Sequence, residues 1–250
     1  MPTEKEIITE TFTELAPRYE RVVDQELKRF WGWSYDGFVE MLIKLTPIHE
    51  TDKVLDVATG TAVIPLKLAH LHKSAKPITG LDITPAMLRR AKARTQTNQL
   101  SSSIHLVCAS AMAMPFSSHS FDAIICGLAT HHMDIEQLLS EMQRVLKEGG
   151  SLTIGDVGGS PTWRFPIIRL FIRVLAFVYF LAAENLSRAW AESSALSHIH
   201  TAEEWHAILS RLEFQNIKLQ KLPSKHFWSP DPLVITTTKS SAEGINVNNS

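Results

Sequence analysis

An α/β domain built on one open, mostly parallel sheet is what this sequence predicts, on three observations. Apolar runs of strand length alternate with segments whose apolar residues recur at helical spacing. Two of those runs end in a carboxylate followed by a helix start or a tight turn, in "KVLDVATGTA" and "ITGLDIT". The chain, at 250 residues, is long enough to bury one large core.

Residues 4–45 read as helices, because Phe12, Leu15, Tyr19, Val22 and Val23 fall along one helical stripe; the aromatic cluster "RFWGWSYDGF" interrupts them. Five strands are then expected at residues 53–57, 78–82, 104–108, 121–126 and 152–156, with helices after most of them. Thr84 is placed to cap the helix after the second strand, and Pro85 suits its first position. Residues 135–146 carry Ile135, Leu138, Leu139, Met142, Val145 and Leu146 on one face, and "EGG" at 148–150 is expected to stop that helix. "GGSP" breaks the alternation after Asp156, and the pattern resumes at "TAEEWHAILSRL", where Thr201 and Glu204 have capping-box spacing. Strands at 217–222 and 233–238 bring the sheet to seven, and the tail at 240–250 is polar enough to be disordered.

Lys and Arg total 25 against 26 Asp and Glu, so there is no basic excess to concentrate the protein on a phosphate backbone, and nucleic acid is not an expected partner. Cys108 and Cys126 both lie in strand-like runs, which suggests reduced core thiols and a cytoplasmic location. The polar start "MPTEKEIITE" lacks the secretory pattern. In the apolar run 165–183, Arg169 and Arg173 leave only 174–183 uninterrupted, about half of the roughly 20 residues a spanning helix needs. A buried or surface-lying helix is expected there.

Ligands of open α/β sheets sit beyond the carboxyl ends of the strands. Asp56, Ala58, Thr59, Gly60, Thr61 and Ala62 have the small-residue composition of a turn that lets backbone approach a ligand closely. Only Gly60 is a glycine, so the G-x-G-x-x-G pattern of a pyrophosphate loop is absent and a nicotinamide dinucleotide is disfavoured. Asp82 ends the second strand, where a carboxylate can accept from both ribose hydroxyls; a helix cap is the plain alternative.

"VLDVATGTA", "GLDITPAMLRRA", "ASAMAMPFSSHSFD" and "LATHHMDIEQLLSEMQRVLKEGGSL", in that order, resemble the class I S-adenosylmethionine-dependent methyltransferases. The similar branch includes the ubiquinone and menaquinone biosynthesis methyltransferases and many small-molecule methyltransferases. The match spans about residues 53–156, and "LAPRYERV" resembles the segment that precedes the core in that branch. The resemblance implies a Rossmann-like sheet with helices on both faces, N-terminal helices and a helical lid after the fifth strand. A single domain over 1–239 would divide into a helical cap (1–50), a cofactor-binding core (51–157), a lid insertion (158–200) and a closing helix with strands (201–239).

It also implies S-adenosyl-L-methionine as cofactor, with its methionine moiety over Asp56, Ala58 and Gly60, its ribose on Asp82, and its adenine flanked by Ile83 and Met87 and edged by Ser110, Ala111 and Met112. Cys126, Gly127 and Leu128 would lie beneath the reacting sulfur, and Tyr19 would close over the cofactor. Two residues depart from the family pattern. Ala62 replaces the last glycine of the first motif, a methyl expected to be absorbed by the helix start, and Ser110 replaces a common acidic residue. Losing that charge-assisted contact would cost on the order of 1 kcal/mol, around tenfold in binding.

Methyl transfer is an in-line displacement in which the protein mainly aligns and desolvates the reactants, so few catalytic groups are needed and no metal is expected. His131 and His132 are the candidate bases, with a buried structural pair as the alternative. Phe165, Phe171, Phe177, Tyr179 and Phe180 of the insertion, with Trp31, Trp33 and Phe38, are candidates to line an apolar acceptor pocket, with ordinary packing as the alternative. His198 and His200 are placed to face that pocket or to sit on a surface loop. The expected acceptor is an apolar small molecule: a quinone precursor, a phenolic or indolic compound, or another specialised metabolite. A membrane-associated lipid or quinone enzyme with peripheral membrane contact, or a cofactor-binding protein without methyl transfer, are the alternatives. The methylated atom and the oligomeric state stay open.

Overall fold

The computed structural model describes residues 4–71, 76–226 and 229–240. The N-terminal cap is α1 (Glu4–Leu15), α2 (Tyr19–Phe30) and α3 (Tyr35–Leu45). Ser34 caps α3 by accepting the Gly37 N–H at 3.0 Å. There follow β1 (Val54–Val57), α4 (Val63–Leu71), β2 (Ile78–Asp82), α5 (Pro85–Thr97), β3 (Ile104–Cys108), β4 (Phe121–Gly127), α6 (Ile135–Val145) and β5 (Leu146–Asp156). The insertion forms α7 (Pro166–Ala183) and α8 (Leu186–Ala195), and α9 (Ala202–Arg211), β6 (Phe214–Lys221) and β7 (Leu233–Lys239) close the domain.

The seven strands run in the order β3-β2-β1-β4-β5-β7-β6. All pair in parallel except β7, which is antiparallel to β5 and β6. After β3 the chain crosses back over β1 to lay down β4, so the order reverses between β1 and β4 and a crevice opens at their carboxyl ends. Every residue of β1 and β2 is buried, as the continuous apolar runs of a two-side-covered sheet require. Alternate side chains feed two cores: Leu55, Phe121, Ile124 and Leu139 meet Trp205 on one face, and Phe38, Leu42, Ile64 and Ile125 pack on the other.

Several boundaries differ from expectation for local reasons. α6 ends at Val145 and β5 begins at once, so "EGG" lies inside the strand; Gly149 is left-handed there, and the β4–β5 register slips between Phe121 and Ala123. Thr84 occupies the cap position of α5 without a side-chain cap, its hydroxyl being turned to Asp82, whose Oδ1 also accepts the Thr84 N–H at 2.8 Å. The capping box at Thr201 and Glu204 forms in both directions. Cys126 is buried, but Cys108 is exposed and is not a core thiol. Residues 241–250, most of the expected disordered tail, lie outside the described residues.

The largest correction concerns the insertion. α7 lies on the surface with only Phe180 buried, and Phe165 and Phe171 are 63% and 67% exposed, so neither lines a pocket. The helix is apolar nearly all round, and its inward side is used up against α8. Periodicity cannot tell which face of such a helix turns inward.

Candidate active site

A cavity of about 720 Å³ opens beyond the carboxyl ends of β1, β2 and β4. Its floor is the turn after β1, where Ala58, Gly60 and Ala62 all have left-handed backbone. The turn is fixed by its neighbours: the Thr59 N–H donates to Leu81 O at 2.9 Å, the Gly60 N–H to Asp82 Oδ2 at 2.8 Å, and the Thr59 hydroxyl to Asp56 Oδ2 at 2.5 Å. A Cβ on Gly80 would come within 2.8 Å of that hydroxyl, which keeps the second strand bare where the loop crosses it. Ala62 is not absorbed without strain, since its left-handed φ of 63° costs an L-residue roughly 1–2 kcal/mol.

Asp82 lines the cavity, nearly buried, and each of its oxygens takes one backbone N–H, from Gly60 and from Thr84. The Thr84 hydroxyl also bonds to the carboxylate, whose cavity-facing oxygens are placed to accept from a ligand hydroxyl. Burial pushes its carboxyl up, against the pull of the Thr84 and Gly60 N–H groups. Ile83 and Met87 continue the wall on one side, and Ser110, Ala111 and Met112 on the other. The Ser110 hydroxyl already accepts the Met112 N–H at 3.2 Å. Gly127 and Leu128 form the edge from β4, and Tyr19 comes in from α2, with Cε1 3.8 Å from where a Gly60 Cβ would stand.

Asp56 and Cys126 do not line the cavity. Cys126 is fully buried in the core, because β4's alternation turns it there. Asp56 lies under the turn with Oδ1 lacking a partner. Burial raises its carboxyl to about 8, partly offset by the Thr59 hydroxyl. Acceptor capacity on Asp82 and apolar walls at Ile83 and Met87 suit a ligand that carries a ribose and a flat ring.

The histidines separate. His131 Nδ1 is 2.6 Å from Asp156 Oδ1, and Asp156 also accepts from the Thr130 hydroxyl and from the N–H groups of His131 and Val157. Burial opposes its charge, but Asp156 overrides that and holds His131 above the usual histidine value; Asp156 is held below the usual carboxylate range despite its own burial. His131 thus ties the loop after β4 to the tip of β5 and does not line the cavity. His132 does line it, Nδ1 has no partner, and burial, His131 and Arg188 together hold the ring neutral.

His198 also lines the cavity, as does His200, and both have an unpartnered Nδ1. Trp31 and Trp33 serve elsewhere: their indole N–H groups donate to Pro230 O at 2.7 Å and Pro223 O at 3.1 Å. Trp33 lines no described cavity, and Trp31 only edges a small pocket behind the main one. Phe38 is core, Tyr179 accepts from Arg29 at 2.8 Å, and Phe177 stacks edge-on against Trp190 at 5.2 Å. Sequence reasoning missed Ile8 and Phe12 of α1, which wall the outer cavity, and Arg188 with Glu26 and Glu192 behind it. Arg188 and Glu192, four apart on a helix, look like a solvated surface pair, and nothing local marks them as buried.

His131, His132 and Glu192 bring ligand atoms within 4.8 Å of one another. The Arg188 guanidinium, 3.1 Å from Glu192 Oε1, places fixed positive charge there and opposes a metal cation.

Residues 55–154 match a family model described as a methyltransferase domain. A ubiquinone/menaquinone biosynthesis C-methyltransferase of Geotalea daltonii is 30% identical over 224 residues, 86% of this chain and 91% of the relative. A demethylmenaquinone methyltransferase of Listeria monocytogenes is 28% identical over 77% of this chain and 81% of its own length. Among solved structures, geranyl diphosphate C-methyltransferase from Streptomyces coelicolor, with S-adenosyl-L-homocysteine bound, superposes with a TM-score of 0.65 at 16% identity, over 88% of this chain and 84% of that one.

Proposed function

The chain belongs to the class I S-adenosylmethionine-dependent methyltransferases, in the ubiquinone/menaquinone biosynthesis-like branch, and from that premise we propose that it methylates an apolar small molecule. It is an enzyme that uses S-adenosyl-L-methionine. The observation that carries the acceptor class is the outer part of the cavity, beyond the Asp82 region, where Ile8, Phe12, Leu128, Met133 and Ile135 leave a largely apolar space.

When bound, the cofactor supplies a methyl group on a positively charged sulfur. The chain's share is to grip and to exclude water. Asp82 would hold the ribose, Ile83 and Met87 would flank the ring, and Tyr19 with Phe12 would cover the reacting zone. His132, neutral and with a free Nδ1, is the group that can take a proton from the acceptor. Quinone precursors, phenolics and indolics all fit this description. Incubating the protein with methyl-labelled S-adenosylmethionine and representatives of each class tests it: label in an apolar product is expected, and label in none of them with cofactor binding intact would refute the acceptor class.

The membrane-associated form of this reading gains support from α7. Ile167, Leu170, Phe171, Val174, Leu175 and Val178 are each more than half exposed along one stripe, an apolar surface of the kind that lies in a bilayer interface. Its length and composition are also those of a spanning helix, with mean hydropathy 2.0. An interfacial helix of this kind would hold the protein at the lipid surface in which an apolar acceptor dissolves. Flotation with anionic vesicles is the test; protein left wholly in the aqueous fraction would argue for acceptors taken from solution.

A further inference from the structure

Three elements that surround the cavity meet at a ring of side chains outside it. Arg94 of α5 donates to Glu20 of α2, and the hydroxyl of Thr61, in the turn after β1, donates to the same Glu20 oxygen at 2.9 Å. Arg94 Nη1 closes the ring on Thr61, 3.1 Å from its hydroxyl and 3.2 Å from its carbonyl oxygen. None of the three residues lines the cavity. Glu20 follows Tyr19, Thr61 follows Gly60, and Arg94 stands two turns of α5 beyond Met87, and Tyr19, Gly60 and Met87 all line it.

The turn needs such a hold. Thr61 is buried between Gly60 and Ala62, both left-handed, and a residue with a side chain keeps that backbone only where its surroundings fix it. Pro65, four residues on, has no N–H to give the Thr61 carbonyl as a helix start otherwise would, and Arg94 supplies the donor instead. The roof is tied at the same point. Ala16, Ala86 and Met87, with Phe12 and Tyr19 against them, form a small apolar cluster apart from the two cores that flank the sheet. A segment with so little buried apolar surface opens at a cost well below that of global unfolding, so a polar tie beside it decides how often it opens.

We propose that Arg94, Glu20 and Thr61 form a latch that sets the cofactor turn and the Tyr19 cap as one unit, so that cofactor leaves only when the ring opens. Arg94 is a positioning residue in it, touching neither cofactor nor acceptor. The proposal rests on the cofactor lying in this cavity and is independent of which acceptor is methylated.

The side chains of Arg94 and Glu20 are 31% and 39% exposed, so salt reaches the pair, and that gives the latch a signature. S-adenosyl-L-homocysteine carries an ammonium and a carboxylate that cancel, so ionic strength acts mainly on the protein's side of the contact. Surface plasmon resonance on the immobilised full chain reads its release at about 0.1 M and at about 1 M salt, which shortens the screening length from about 10 to about 3 Å. The unaltered protein is expected to release it faster at the higher salt. Arg94→Gln is expected to release it about fivefold faster than the unaltered protein at the lower salt, and to show no further response to salt. Glu20→Gln gives the same two readings from the other partner. Lys28→Gln, which removes the exposed Lys28–Asp24 pair of the same helix, is expected to behave as the unaltered protein does. Unchanged release in Arg94→Gln and Glu20→Gln, a salt response that survives in either, or an unaltered protein indifferent to salt would each overturn the latch, the last without any variant having to fold. Affinity left unchanged by Asp82→Ala would instead refute the placement of the cofactor on which the latch rests.

Discussion

Around Asp82 the site is held by backbone, whereas around Arg188 it is held by side chains from three distant segments. Asp82 is positioned by the end of β2 and by N–H groups of Gly60 and Thr84, all within two adjoining strand-ends and their turns. Arg188 is positioned by Glu26 of α2, Glu192 of α8 and the rings of Phe12 and Phe180, which only the folded cap and lid bring together. A site of the first kind tolerates change in the surrounding side chains as long as the turn survives. One of the second kind changes its ligand when a single lid residue changes, which fits a family that keeps one cofactor and varies its acceptors.

Asp156 joins the two halves, because it anchors the loop that carries both histidines to the tip of β5. Asp156→Ala is therefore the substitution expected to cost most. It strands Thr130 and a buried, charged His131, about 3–5 kcal/mol on chemical denaturation. Its pH dependence has a definite sign. Asp156 is lowered from 3.8, so its share is present above that value and lost as pH falls through the folded value; His131 is raised from 6.5, so its share is full below 6.5 and lost as pH rises through the folded value. The gap between wild type and Asp156→Ala should thus be widest between those two limits. A gap that is flat from acid to alkaline pH would mean that the pair is not ionic.

Asp82→Ala tests the backbone-held half alone. It removes the ribose acceptor and leaves the Gly60 and Thr84 N–H groups unmet, so calorimetry with S-adenosyl-L-homocysteine should show affinity down about tenfold or more. Unchanged affinity would remove the carboxylate from the cofactor site. In the other half, Thr201→Ala deletes the capping box where the lid returns to the core, and about 1 kcal/mol of stability should go with it while cofactor affinity stays put.

The same division explains what the amino-acid order revealed. Seven strands, their mostly parallel arrangement and the cavity-lining loop residues from Ala58 to Leu128 are legible because strand periodicity and turn composition are local properties, and cavities of open α/β sheets lie at strand ends. Asp56 and Cys126 were expected in the cavity wall and sit beneath it, since a strand's alternation decides the facing of its last residues. The acceptor side was misplaced for a different reason. Phe165 and Phe171 are attractive as pocket residues by type alone, but an evenly apolar helix carries no record of its inward face. Arg188 is concealed by the converse: it is a charged residue in an ordinary helical pair, and its burial depends on α2, 162 residues away in sequence from Glu26.

The smallest expected effect on stability is also the sharpest contrast. Ile167, at 84% the most exposed large apolar side chain among the described residues, projects from α7 with Leu170 and Val174 on the same stripe. Replacing any of the three with serine removes no buried contact, so each should shift stability by no more than about 0.5 kcal/mol. The same changes remove apolar area that only a second phase can cover, so the triple variant should lose vesicle flotation while methyl transfer to a water-soluble acceptor continues. Denaturation midpoints and flotation measured side by side separate the outcomes. A stability loss several times larger would mean that this face is packed against protein, and α7 would then be a second-copy interface and not a membrane-facing one.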